Sequence, residues 1–146
     1  MYVYEHKQVG KPLLWALSLP FAVAAGALYR DKGPLPALAI AGLGALLAIS
    51  FSSLTVRVSA AAVSIKFGPG VFQKSFPVGD VYSAQAVHNP WWYGLGIHRT
   101  RDGWLYNVGG SDAVELHLEG DRRARIGTDE PERLLAAIRQ VTASRG

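Results

Sequence analysis

The chain has 146 residues, 49% of them hydrophobic and 18% charged, with a formal net charge of +4 and no cysteine. That length allows about one domain plus an anchor. The lack of cysteine excludes a disulfide framework, a thiolate metal site and a cysteine nucleophile. The positive charge is dispersed. Residues 55–146 carry eleven Lys/Arg against nine Asp/Glu, so no basic block marks a nucleic-acid footprint.

From the N-terminus, Leu13 to Tyr29 is a run of seventeen residues without a charge, and Leu35 to Leu54 is a run of twenty. As helices they would span about 25 and about 30 Å, close to the roughly 30 Å of a hydrocarbon core. A signal peptide is the competing reading of the first run, with Lys7 and Lys11 ahead of it. A second full-length run following within five residues favours a two-helix transmembrane hairpin over residues 1–54, with spans at about 13–29 and 35–54 and a loop at 30–34. Pro20 lies inside the first span and predicts a kink. Ala22 and Gly26 are four residues apart, as are Gly44 and Ala48. Small residues at this spacing let helices approach closely, either within the hairpin or against other subunits. Lys7, Lys11, Arg57 and Lys66 on the side of the termini outnumber Arg30 and Lys32 in the loop. The positive-inside rule then puts both termini on the cytoplasmic side of the inner (cytoplasmic) membrane.

From Thr55 onward the pattern alternates. Val56 and Val58 share one face, and Val63, Ile65 and Phe67 repeat the period after a break at Ala60-Ala61. Gly68-Pro69-Gly70 reads as a turn, after which Phe72, Lys74 and Phe76 alternate with Val71, Gln73 and Ser75. A further run covers Val81 to His88. Such short period-two runs between Gly and Pro predict half-buried antiparallel strands. In Ala113–Thr128, Val114, Leu116 and Leu118 share a face and Ala124 and Ile126 answer them. A three-residue turn at Gly120-Asp121-Arg122 pairs Leu118 with Ala124, Leu116 with Ile126 and His117 with Arg125, keeping the apolar faces together. Arg122, Arg123 and Arg125 then form a solvated face with a cross-strand ion pair, or else a phosphate or partner site. A helix over about 130–143 closes the chain. Asp129 and Glu132 fit a capping box, Pro131 suits its first turn, and Leu134, Ala137, Ile138 and Val141 make its apolar stripe.

Few residues suggest chemistry. Gly94-Leu95-Gly96 lies between strands and fails the dinucleotide fingerprint. It reads as a bend. His6, His88, His98 and His117 lack metal-ligand spacing, no serine sits in a nucleophile-elbow sequence, and neither span contains an acidic, basic or His residue. These patterns predict no enzyme, no cofactor, no metal and no small-molecule substrate. The outstanding motif is His88-Asn89-Pro90-Trp91-Trp92-Tyr93. Successive residues of an extended run face opposite ways, so Trp91 and Trp92 cannot both be core unless the loop folds back over the domain. The alternatives are a protein interface or bilayer contact, both rich in Trp and Tyr, with His98, Arg99 and Arg101 as a polar rim. Arg57, Lys66 and Lys74 are candidate contacts to lipid headgroups.

Two apolar spans followed by short strands and a closing helix resemble the bacterial pleckstrin-homology-like (PH-like) family of membrane-anchored proteins. The resemblance covers residues 55–146. It is strongest at Phe76-Pro77-Val78-Gly79-Asp80-Val81, and from Tyr93-Gly94-Leu95-Gly96-Ile97-His98 through Gly103-Trp104 to Arg125-Ile126-Gly127-Thr128-Asp129-Glu130-Pro131. It implies a membrane-anchored α+β protein: a bent antiparallel sheet, nearly a barrel, of about seven strands with a C-terminal capping helix. It also implies a non-enzymatic role in self-assembly, in docking on other integral membrane subunits, or at the lipid surface. Relatives of this fold that bind inositol phospholipids use a basic loop between the first two strands. The corresponding stretch here, Ser59–Ala62, has no Lys or Arg.

Overall fold

The computed structural model describes residues 1–145. Two helices long and apolar enough to cross a membrane, α1 (Lys11–Lys32) and α2 (Pro34–Phe51), pack on each other as a hairpin. Both extend beyond the expected spans toward their shared turn, so the loop at 30–34 shrinks to Gly33. That residue has φ 90° and ψ −170°, a conformation open to glycine because it has no Cβ. At the other end α2 stops at Phe51 and Leu54 already belongs to a strand. Gly44 and Ala48 are buried between the helices, where a Cβ on Gly44 would lie 2.4 Å from Cβ of Phe21. Ala22 and Gly26 stand on the free face, with nothing within 4 Å of where a Gly26 Cβ would be. Leu19, Val23, Leu38 and Leu46 are likewise exposed.

The remainder has nine strands in two sheets, where about seven were expected. The first strand precedes the hairpin. β1 (Tyr2–Val9) pairs antiparallel with β2 (Ser53–Ser59), placing Lys7 opposite Thr55 and Glu5 opposite Arg57. The helical hairpin is therefore an insertion between two paired strands, and residues 2–9 belong to the β structure. β3 (Ala62–Phe67) and β4 (Phe72–Pro77) complete a sheet of order β1-β2-β3-β4. After a 3-10 turn at Val78–Asp80 come β5 (Val81–His88), β6 (Gly96–Thr100), β7 (Gly103–Asn107), β8 (Asp112–Leu118) and β9 (Arg122–Gly127), in the order β5-β8-β9-β7-β6. β7 runs parallel to β9, so this sheet is mixed rather than purely antiparallel.

The β8–β9 register differs from the expected one by two residues. Leu118 faces Arg122, Leu116 faces Ala124, His117 faces Arg123 and Glu115 faces Arg125. The three-residue turn is Glu119-Gly120-Asp121, in which Gly120 (φ 80°) and Asp121 (φ 58°) are left-handed. Asp is one of the few side chains that tolerates that region. A slip of two preserves which side chains face the core, so the apolar pattern by itself does not distinguish the two registers.

α3 (Pro131–Ala143) buries Leu134, Leu135, Ala137, Ile138 and Val141. Burial of each large aliphatic side chain is worth about 2 kcal/mol. The helix packs on β5 and β8 of one sheet and on β2 and β1 of the other, so it closes one side of the space between them. The expected capping box does not form, because no side chain caps α3. Asp129 bonds His6 at 2.7 Å, and Glu130 accepts a hydrogen bond from the Tyr4 hydroxyl at 2.6 Å. Both acids are thus drawn to β1, and burial together with Glu130 holds the Tyr4 hydroxyl well above its ordinary pKa. A single apolar cluster joins both sheets and α3, with Val56, Ile65 and Phe67 meeting Leu116, Ile126 and Ile138.

Candidate interface at the aromatic turn

The β structure has a helix-proximal end and a far end. The Gly10 amide donates to the Ser52 carbonyl at 2.6 Å, which ties the two helix bases together. The β7–β8 loop lies against this junction. A Cβ on Gly10 would sit 1.9 Å from the Val108 carbonyl oxygen, and one on Gly109 would be 3.6 Å from Cδ of Pro12. The same loop holds the start of the aromatic segment, since the Asn89 amide donates to the Ser111 carbonyl at 2.7 Å. The aromatic motif is therefore at the end of the domain that carries the helices.

Trp91–Tyr93 is one 3-10 turn following Pro90, whose fixed φ of −58° starts it. Trp91 is 83% exposed and Trp92 67%, so the loop does not fold back to bury them. Their rings meet edge to face with centroids 6.0 Å apart. Tyr93 turns inward. Its hydroxyl donates to Asp102, and that carboxylate holds the phenol above its ordinary pKa. Its carbonyl accepts a hydrogen bond from Nε2 of His98.

Beneath the turn lies a polar brace that sequence reasoning missed. Arg125 is its hub. Nε donates to Oε2 of Glu115 at 2.7 Å, one terminal nitrogen donates to Oδ1 of Asn89 at 2.8 Å, and the other lies 3.3 Å from Oδ2 of Asp102. The guanidinium carbon is 5.8 Å from the centre of the Tyr93 ring. Glu115 is 2% exposed. Its Oε1 meets Nε2 of His117 at 2.7 Å and accepts from Gln85 at 3.3 Å. Burial raises the Glu115 pKa, but Arg125, His117 and Gln85 outweigh burial and leave it below its ordinary value. Charge-assisted bonds of this kind hold their partners in one geometry. The brace thus fixes both ends of the turn, through Asn89 and through Tyr93, and leaves two indoles facing outward.

The remaining expected site residues divide. His98 joins the aromatic turn, whereas Arg99 and Arg101 line a different cleft, between the sheets. Arg57 and Lys66 come together with Lys7 in a groove of about 420 Å³ beside Ile49 and Pro69, at the helix-proximal end. Arg57 is paired with Glu5 at 2.6 Å. Lys74 is not part of this groove. It sits opposite Ile65, on the core-facing side of β4, and lines the same cleft as Arg99. Asp102 pairs with Arg125, and Arg133 with Glu130. No group of three or more His, Cys, Asp or Glu able to hold a metal ion occurs among the described residues. No family model and no curated protein matches the sequence.

Proposed function

We propose that this chain is a non-enzymatic, membrane-anchored interaction protein of the PH-like type. In this reading α1 and α2 cross the inner membrane and hold the β domain at its cytoplasmic surface. The Trp91–Trp92 turn docks on another integral membrane subunit or on a second copy. The observation that carries it is the pair of adjacent exposed indoles on a turn braced from below by Arg125. Exposed tryptophans on a fixed framework are what protein interfaces use as anchors, because little side-chain freedom is lost on binding. The apolar outward faces of both helices support insertion, since contiguous surfaces of that kind are unfavourable in water. Ala22 and Gly26, open on the free face of α1, suit close approach of a further helix.

The helix-proximal groove favours a second reading, contact with anionic lipid headgroups. Lys7 and Lys66 have no carboxylate partner among the described residues, and the groove opens beside the last turn of α2. One experiment separates the readings. The full chain, carrying a photocrosslinking amino acid at position 92, is purified in native lipid and its complexes are weighed intact. A crosslinked second copy or co-purifying membrane subunit is expected. Crosslinks to lipid alone favour the headgroup reading, and a monomer with neither crosslink defeats both.

A further inference from the structure

α3 closes one side of the space between the sheets. The opposite side, between β4 and β6, is open. These are the edge strands of their sheets, and a cleft of about 900 Å³ lies between them, at the upper end of the range for ligand sites. Its floor is aromatic. Phe72 stacks on Tyr106 with centroids 6.0 Å apart, and Phe76 meets Tyr106 edge-on at 6.1 Å. Trp104, the next residue of β7 on that face, is 47% exposed.

Three of the cations in this cleft, Lys74, Arg99 and Arg122, occupy inward positions. Lys74 falls between Phe72 and Phe76 in the alternation of β4. Arg99 shares the face of Ile97 on β6 and stands opposite Trp104, and Arg122 shares the face of Ala124 and Ile126 on β9. Apolar residues are the ordinary occupants of such positions. Among the described residues neither Lys74 nor Arg99 has an ion-pair partner. Arg122, whose Nε donates to the Glu119 carbonyl at 3.0 Å, has no carboxylate closer to its terminal nitrogens than Asp80, at 4.0 Å.

Polarity also changes along the cleft. Phe72 follows the Gly68–Val71 turn, which is tied to the helix base by the Gly68 amide donating to the Ser53 carbonyl at 3.0 Å. Ile97 and Tyr106 face each other at that same end. Arg99, Arg101 and Arg122 lie at the far end, by the β6–β7 and β8–β9 turns, where they outnumber Asp102 and Asp121, and Asp102 is already engaged by Arg125 and Tyr93. An apolar end toward the helices and a cationic end away from them match one kind of ligand: a chain pointing to the helix base, with an anion at the far tip.

We infer that the cleft between β4 and β6 binds a single-chain anionic amphiphile, an acyl chain bearing a carboxylate or phosphate head. The chain lies over Phe72, Tyr106 and Ile97, and the head is held by Arg99, Arg122 and Lys74. The inference does not depend on what the Trp91–Trp92 turn docks on. It does take its orientation from the helix base, and a membrane there would supply such molecules with their chains already on the correct side.

The test uses the full chain in nanodiscs of zwitterionic lipid. A fluorescent fatty acid and a fluorescent lysophosphatidic acid are titrated in separate arms, with the corresponding fatty alcohol as a neutral control and protein-free nanodiscs as blank. Saturable binding of one anion well above the blank is expected, and the better ligand identifies the head. Arg99→Gln is expected to weaken it by about tenfold, the low end for loss of a charge-assisted bond, and Arg99→Glu to abolish it. Position 99 is exposed, so an unchanged melting temperature is expected for both variants. Equal uptake of alcohol and anion, or uptake indifferent to Arg99→Glu, would mean partition into the bilayer and overturn the inference. So would absence of binding together with aggregation of Arg99→Gln, which would assign these charges to guarding the sheet edges against pairing.

Discussion

Glu115 and Arg125 face each other across β8 and β9, and Nε of Arg125 reaches Oε2 of Glu115 at 2.7 Å where the carboxylate is 2% exposed. The pair is the keel of the aromatic turn, because the same guanidinium holds Asn89 and Asp102. Removing one partner leaves the other charged and dry. Arg125→Met is therefore expected to destabilise the domain by about 3 kcal/mol. The double variant Glu115→Leu/Arg125→Met should recover much of that stability while releasing the turn. Denaturant titration of the three proteins checks this, with fluorescence of Trp91 and Trp92 reporting the turn.

The same carboxylate sets a pH dependence. Glu115 ionises below its ordinary value of 4.5 in the folded protein, because Arg125, His117 and Gln85 outweigh burial. A depressed carboxylate stabilises the fold above its unfolded pKa, and that contribution is lost as pH falls through the folded value. Thermal melting temperature should therefore decline from about pH 4.5 downward. In Glu115→Gln, less stable at neutral pH, the decline should be shallower. Parallel curves for the two proteins would contradict the assignment.

Gly44 and Gly26 provide a contrast within the hairpin. A Cβ at position 44 would overlap Phe21, whereas the space beside Gly26 is open. Gly44→Leu is expected to cost about 1–3 kcal/mol through overpacking and to raise protease sensitivity in detergent. Gly26→Leu should leave the monomer intact and act only on association with another helix, read from native mass distributions of the two variants.

Trp91→Ala/Trp92→Ala tests whether the indoles serve recognition rather than folding. Both side chains are exposed, so the melting temperature should change little, within about 0.5 kcal/mol for each position. Recovery of the crosslinked complex should fall sharply. A large loss of stability would instead make the turn a structural part of the domain.

Much of this protein was legible in its sequence because the relevant signals are local. Two uncharged runs specified two helices that no water-facing sheet could replace. Period-two alternation specified strands between Thr55 and His88 and in the Ala113–Thr128 hairpin, and the Leu134–Val141 stripe specified a helix needing a surface to cover. The phase of Lys74 was also readable. It shares a face with Phe72 and Phe76, while Arg57 and Lys66 alternate with buried residues, so the three do not share one surface. Tertiary structure decided the rest. β1 has little apolar alternation, because an edge strand is held largely by its backbone bonds to β2. Only that pairing shows that the hairpin interrupts a sheet. The partner of Arg125 turned on a two-residue slip that leaves every side chain on its face and so has no signature in the apolar pattern. The open cleft between β4 and β6 exists because α3 covers the other side, a choice made by the packing of both sheets at once.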